Sequence, residues 1–177
     1  MEEMEVPTEH LHEAIKEKAE EARERWVMYL ALSTAFIAVL AAIAGLLGGH
    51  HANEAMIEEI KASNQWSYYQ SKSIKSELAE ATDKILLQVS STPIPGDNKE
   101  RIARYEKEKE TIKQTAEAHE KASETHLEQH KNFAKAVTIF QIAIAISAIA
   151  ILTRKRVLWY GAIALTLAGS YFLFAGF

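Results

Sequence analysis

Three stretches of this chain contain no Asp, Glu, Lys or Arg: residues 26–49, 136–153 and 157–177. These runs of 24, 18 and 21 residues match the roughly 20 that an α-helix needs to cross a hydrocarbon layer about 30 Å thick. The 20 basic and 24 acidic side chains all lie outside them, so the average composition describes no real part of the molecule. A single water-soluble core over all 177 residues is excluded. With no Cys in the chain, disulfides, thiolate metal sites and cysteine nucleophiles are excluded too.

The pattern predicts an all-α membrane protein with three transmembrane helices, at 26–49, 136–153 and 157–177, and a long antiparallel, coiled-coil-like helical hairpin between the first and second. The first run exceeds the roughly 7–15 apolar residues of a signal peptide and reads as a retained span. Between the last two runs only Arg154, Lys155 and Arg156 intervene. So short and basic a turn (154–156) belongs in the cytoplasm by the positive-inside rule. Segment 1–25 is then cytoplasmic and segment 50–135 lies on the far side, the periplasm of a bacterium. Lys16, Lys18, Arg23 and Arg25 before the first span agree, whereas Lys131 and Lys135 beside the second favour the inverted topology. Leu11, Ile15, Ala19, Ala22 and Trp26 give segment 1–25 an amphipathic stripe suited to the membrane surface or to a partner helix.

Neither Pro nor Gly occurs from His50 to Ser91 or from Lys99 to Lys135, while the turn formers Thr92-Pro93-Ile94-Pro95-Gly96-Asp97-Asn98 separate these segments. Two helices joined by a turn at 92–98 follow. Two helices side by side leave most of their surface wet, so such a hairpin requires support from copies of itself or from another envelope protein. In the second helix, positions 105, 112, 119, 126, 133 and 140 read Tyr, Ile, His, His, Phe, Phe in heptad steps, with Ile102, Ala116, Ser123, His130 and Val137 beside them. In the first, 57, 64, 71, 78 and 85 read Ile, Asn, Ser, Leu, Ile, with Ile60, Ser67, Ile74 and Ala81 beside them. Folding about Gly96 sets His126 near Asn64 and His119 near Ser71, a polar layer halfway along a coiled coil. Asn64, Trp66, Tyr69, Ile74, Leu78, Ile112 and Phe133 are the expected oligomer interface, because Trp and Tyr concentrate at interfaces.

Two stretches carry more than composition: Val6-Pro7-Thr8-Glu9-His10-Leu11-His12-Glu13-Ala14-Ile15, and Ala62-Ser63-Asn64-Gln65-Trp66-Ser67-Tyr68-Tyr69-Gln70-Ser71-Lys72-Ser73-Ile74-Lys75. With them the chain resembles the bacterial membrane proteins grouped as domain of unknown function family 4337, in the same order of acidic leader, span, hairpin and two closing spans. The resemblance implies a multi-pass protein of the bacterial inner membrane with no assigned reaction. It therefore transfers no catalytic residue.

His119, His126 and His130 form the sharpest constellation, since the i,i+4 spacing of the last two suits one Zn²⁺. One helix cannot close such a site, and Ser and Asn on the facing helix are poor ligands, so ordinary seam histidines remain the competing reading. The same residues suit a pH sensor, because His titrates near neutrality. No other cofactor is expected. Gln141, in an otherwise apolar run, is expected to face another helix or a pore. No span holds a charge for a proton relay, and no Gly-rich phosphate loop, Ser-His-Asp arrangement or paired carboxylates in a span appear, so the chain does not read as an enzyme. No basic patch interleaved with aromatics suggests nucleic acid. The partners expected are membrane lipids, copies of the chain and another envelope protein. Three functions stay open: a homo-oligomeric scaffold or envelope interaction protein, an oligomeric channel, and a metal or pH sensor.

Overall fold

The computed structural model describes the backbone of residues 8–89 and 97–177 and the side chains of 15–89 and 99–177. Among the described residues every regular element is helical: α1 (Thr8–Val89), α2 (Asp97–Thr153) and α3 (Arg156–Ala175). Each contains a stretch long and apolar enough to cross a membrane. The turn expected at 92–98 lies outside the described residues up to Gly96, and α2 has begun by Asp97. Gly48 and Gly49 do not interrupt α1, and among the described residues no glycine has a positive φ. Between α2 and α3, Arg154 adopts φ 58°, a left-handed conformation that ends one helix and lets the next begin at once.

The chain divides into two compact units, one comprising residues up to Gly48 with Lys131–Phe177, the other Gly49–His130. In the first, Ile37, Ala44, Phe133, Ala136, Phe140, Ala143, Ala162 and Leu173 form a continuous apolar cluster. Phe140 lies directly against Gly169, where an added Cβ would stand 2.7 Å from the ring, and Phe133 lies against Gly176, where it would stand 2.8 Å away. Here glycine is required by the close approach of a ring to helix backbone. A smaller cluster of Trp26, Leu30 and Ala150 closes the other end, beside a hydrogen bond from the Trp159 indole N–H to Ser33 Oγ at 3.1 Å. Trp26 is buried, but Ile15, Ala19 and Ala22 of the leading stripe are exposed, and the Leu11 side chain lies outside the described residues.

In the second unit the face of α1 that meets α2 is built of small residues. Ala55, Ala62, Ser76 and Ala79 are buried, as are Ala116, Ser123 and the larger Tyr105 and Ile112 of α2. Small side chains on one helix permit close approach to bulky ones on the other. The heptad stripe of α2 faces inward as its spacing predicts. That of α1 does not: Ile57, Ile60, Asn64, Ser67, Ser71, Ile74, Leu78, Ala81 and Ile85 are all exposed. The expected polar layer is therefore corrected. His126 meets His51 and His119 meets Glu58, each thirteen residues ahead of Asn64 and Ser71, because the Ala-rich face of α1 forms the seam within the chain.

Candidate functional site

Along the seam of the second unit runs a ladder of polar contacts, each joining α1 to α2. His51 Nδ1 lies 3.0 Å from His126 Nδ1, and the ring of His50 packs edge-on to His51 with centroids 5.3 Å apart. Ser123 Oγ donates to the carbonyl of Ala55 at 2.9 Å. His119 Nδ1 meets Glu58 Oε2 at 2.5 Å, and Lys61 holds the other oxygen of that carboxylate at 2.7 Å. The Trp66 indole N–H donates to Glu120 at 2.7 Å. Further on, Lys72 pairs with Glu108 at 2.5 Å, its ammonium 5.2 Å from the centre of the Tyr68 ring and 5.3 Å from that of Tyr105. Ser76 Oγ donates to Glu106 at 3.0 Å, and Lys109 donates to the same oxygen at 3.0 Å.

The groups respond to these neighbours in opposite directions. Loss of water around His51 holds its pKa below the ordinary 6.5, and the adjacent His126 and His50 push it the same way. The hydrogen bond from Lys61, followed by that from His119, holds Glu58 below the ordinary 4.5. Glu108 is lowered by its bond from Lys72, which it raises in return. The His51 pair has a further constraint, since two imidazoles meeting Nδ1 to Nδ1 share one proton between them. The first added proton leaves that bond intact. A second would point two donors at each other, so the contact breaks only at the second step.

The residues singled out by spacing divide between two contacts. His119 is paired with Glu58, His126 with His51, and His130 lies close enough to His51 to lower its pKa. Among the described residues no group of three or more His, Cys, Asp and Glu side chains is arranged to hold a metal ion. Of the expected oligomer interface, Asn64, Ile74 and Leu78 are exposed. Ile112 and Phe133 are buried within the chain, and Trp66 and Tyr69 face α2, their rings 5.6 Å apart and Lys109 5.5 Å from Tyr69. The Trp66 indole N–H is taken up by the Glu120 carboxylate of its own chain. Gln141 is exposed on α2.

Sequence reasoning missed His51, Glu58 and Lys72 as a set. The signal was present as a second heptad row of α1, His51, Glu58, Gln65, Lys72 and Ala79, whose polarity matches the His126 and His119 row of α2. A polar row complementary to a polar row marks a seam as well as an apolar row does.

Residues 26–177 match the model of the family described as Domain of unknown function (DUF4337). No curated protein and no solved structure gives a significant match.

Proposed function

This chain belongs to the DUF4337 family, and from that membership, which carries no reaction, we propose that it is a homo-oligomeric scaffold of the bacterial inner membrane. In this reading residues 26–49, 136–153 and 157–177 span the bilayer, the 154–156 turn is cytoplasmic, and residues 50–135 form a periplasmic helical hairpin through which copies assemble and other envelope proteins are engaged. The role is non-enzymatic and needs no cofactor.

One observation supports it above the others. In the second unit the polar and small residues of α1 face inward, whereas Ile57, Ile60, Ile74, Leu78 and Ile85 are 43–65% exposed. Outside a membrane, an apolar stripe exposed at both ends of a helix, here with Asn64, Ser67 and Ser71 between them, suits contact with another protein. Native mass measurement of the full chain in lipid nanodiscs is expected to give more than one copy per particle. Monomer alone would remove the scaffold reading.

A second reading, a pH-responsive assembly, draws on the His51–His126 contact with His50 and His130 beside it. Its test is the local opening treated in the Discussion.

A further inference from the structure

The geometry of α1 points to a parallel, in-register coiled coil between the outward stripe of Gly49–His130 and the same stripe of a second copy, with Asn64 opposite its own counterpart. This rests on the scaffold reading and specifies which face assembles, in which direction and in which register. From 57 to 85 the stripe advances in alternating steps of three and four residues without a break, the a and d positions of four heptads. Positions 55, 62 and 76, on the side of the helix directly opposite, are buried against α2. The two faces are therefore independent. A partner on the stripe displaces nothing that the chain already uses.

Three features select a second copy over an unrelated partner. Asn64 stands at an a position, between Ile60 and Ser67 along the stripe, where an amide shut off from water needs a group that both donates and accepts. An identical Asn at the same level supplies it, and this arrangement fixes register and strand number in parallel coils. Ser67 and Ser71 already donate to the carbonyls of Ser63 and Ser67 at 3.0 and 3.1 Å, so their hydroxyls enter a seam with their donors satisfied. Finally, copies inserted in one membrane share one orientation, which sets their α1 segments parallel. In that register Ser63 flanks Tyr68 of the other copy, Gln70 flanks Lys75 and Glu77 flanks Thr82, so no like charges meet across the seam.

The absence of Cys from the chain makes the test direct. Single substitutions Ser67→Cys and Ser71→Cys on the stripe, and Glu80→Cys and Glu110→Cys at exposed positions off it, are made in the full-length protein in lipid and treated with a mild oxidant. Equivalent residues of a parallel seam bring their Cβ atoms to about the 3.5–4.5 Å that a disulfide needs, so the two stripe positions are expected to cross-link at least about tenfold faster than the others. Equal rates at all four positions, or cross-linking only off the stripe, in a protein whose native mass is multimeric, would overturn the proposed seam and leave the scaffold reading standing. A monomeric native mass would remove both.

Discussion

Large side chains fill the interior of the unit formed by residues up to Gly48 and Lys131–Phe177, where Leu30, Phe133 and Phe140 are fully enclosed. In the Gly49–His130 unit the fully or nearly enclosed residues of α1 are Ala55, Ala62, Ser76 and Ala79, and the long apolar ones look outward. Both units take segments of the same two long helices, to which the first adds α3, and the difference matches the surroundings each is suited to. Leu32, Phe36 and Leu46 of the first unit point outward, a placement that a bilayer tolerates, because lipid is as apolar as leucine and packing, not burial, holds helices together there. In water the same outward placement costs free energy until a partner covers it. On the proposed reading, the first unit needs only lipid around it, while the second gains from a neighbour that covers the α1 stripe.

If aromatic packing holds the first unit, Phe140→Ala should show it with the largest effect of any single change. The side chain is fully enclosed, and truncation of a buried Phe costs about 3–5 kcal/mol. Thermal unfolding in detergent is expected to fall by many degrees. A variant as stable as the parent would mean that the contact between α2 and α3 carries little of the unit's stability.

A smaller effect follows from the glycines. At Gly169 a new methyl would stand 2.7 Å from an enclosed ring, whereas at Gly161 nothing lies within 4 Å. Gly169→Ala should destabilise by about 1–3 kcal/mol through overpacking, while Gly161→Ala should be neutral or gain up to about 1 kcal/mol of helix propensity. If both variants behaved alike in thermal unfolding, close approach would not be what these glycines provide.

How much of this was legible in the sequence divides along the same line. Three helices, each long and apolar enough to cross a membrane, were readable from uncharged runs and missing breakers, because solvation and backbone chemistry act locally. The inward face of α2 was readable because Tyr105, Ile112, Phe133 and Phe140 are both apolar and buried. The inward face of α1 was not, since Ala62, Ser76 and Ala79 leave little periodic signal and the stronger stripe of Ile57, Ile74 and Leu78 points the other way. Apolar periodicity shows that a face is to be buried, without showing by what. The His51 and Glu58 contacts escaped because pairing between distant residues depends on register.

Those two contacts sharpen the comparison through pH. The folded chain lowers the pKa of His51 below 6.5, so the stability it contributes is intact above that value and is lost as pH falls through the lowered one. Glu58 is lowered below 4.5, so its contribution is present above that value and persists to more acidic conditions. As pH falls below 6.5 and through the lowered pKa of His51, the His51–His126 contact should open while Glu58 keeps its charge. Spin labels on Asn53→Cys and Glu124→Cys should move apart on acidification, and labels on Glu59→Cys and Glu117→Cys should not. His126→Asn, which retains a hydrogen-bonding atom near Nδ1 but cannot titrate, should abolish the change. Two label pairs that separate together would point to general unfolding and sink the local switch.

The smallest expected effect belongs to Gln141, the amide that the first unit leaves outward from an apolar stretch. Thr138 is also exposed, but its hydroxyl is satisfied at 2.9 Å by the carbonyl of Ala134; a side-chain amide has two donors and an acceptor and needs a partner from elsewhere. Hydrogen bonds between helices in a membrane average about 0.6 kcal/mol and reach about 1.7. If assembly extends into the bilayer at this point, Gln141→Leu should weaken association in lipid by roughly threefold, without lowering the thermal stability of the monomer. If the amide only meets lipid, the same change should leave association untouched and raise stability, since a polar group has been removed from hydrocarbon. Dissociation measured against protein-to-lipid ratio separates the two. Loss of association on the scale expected from disrupting the α1 stripe would reverse the comparison, because the spans and not the polar-seamed helices would then be the part of the chain that needs a neighbour.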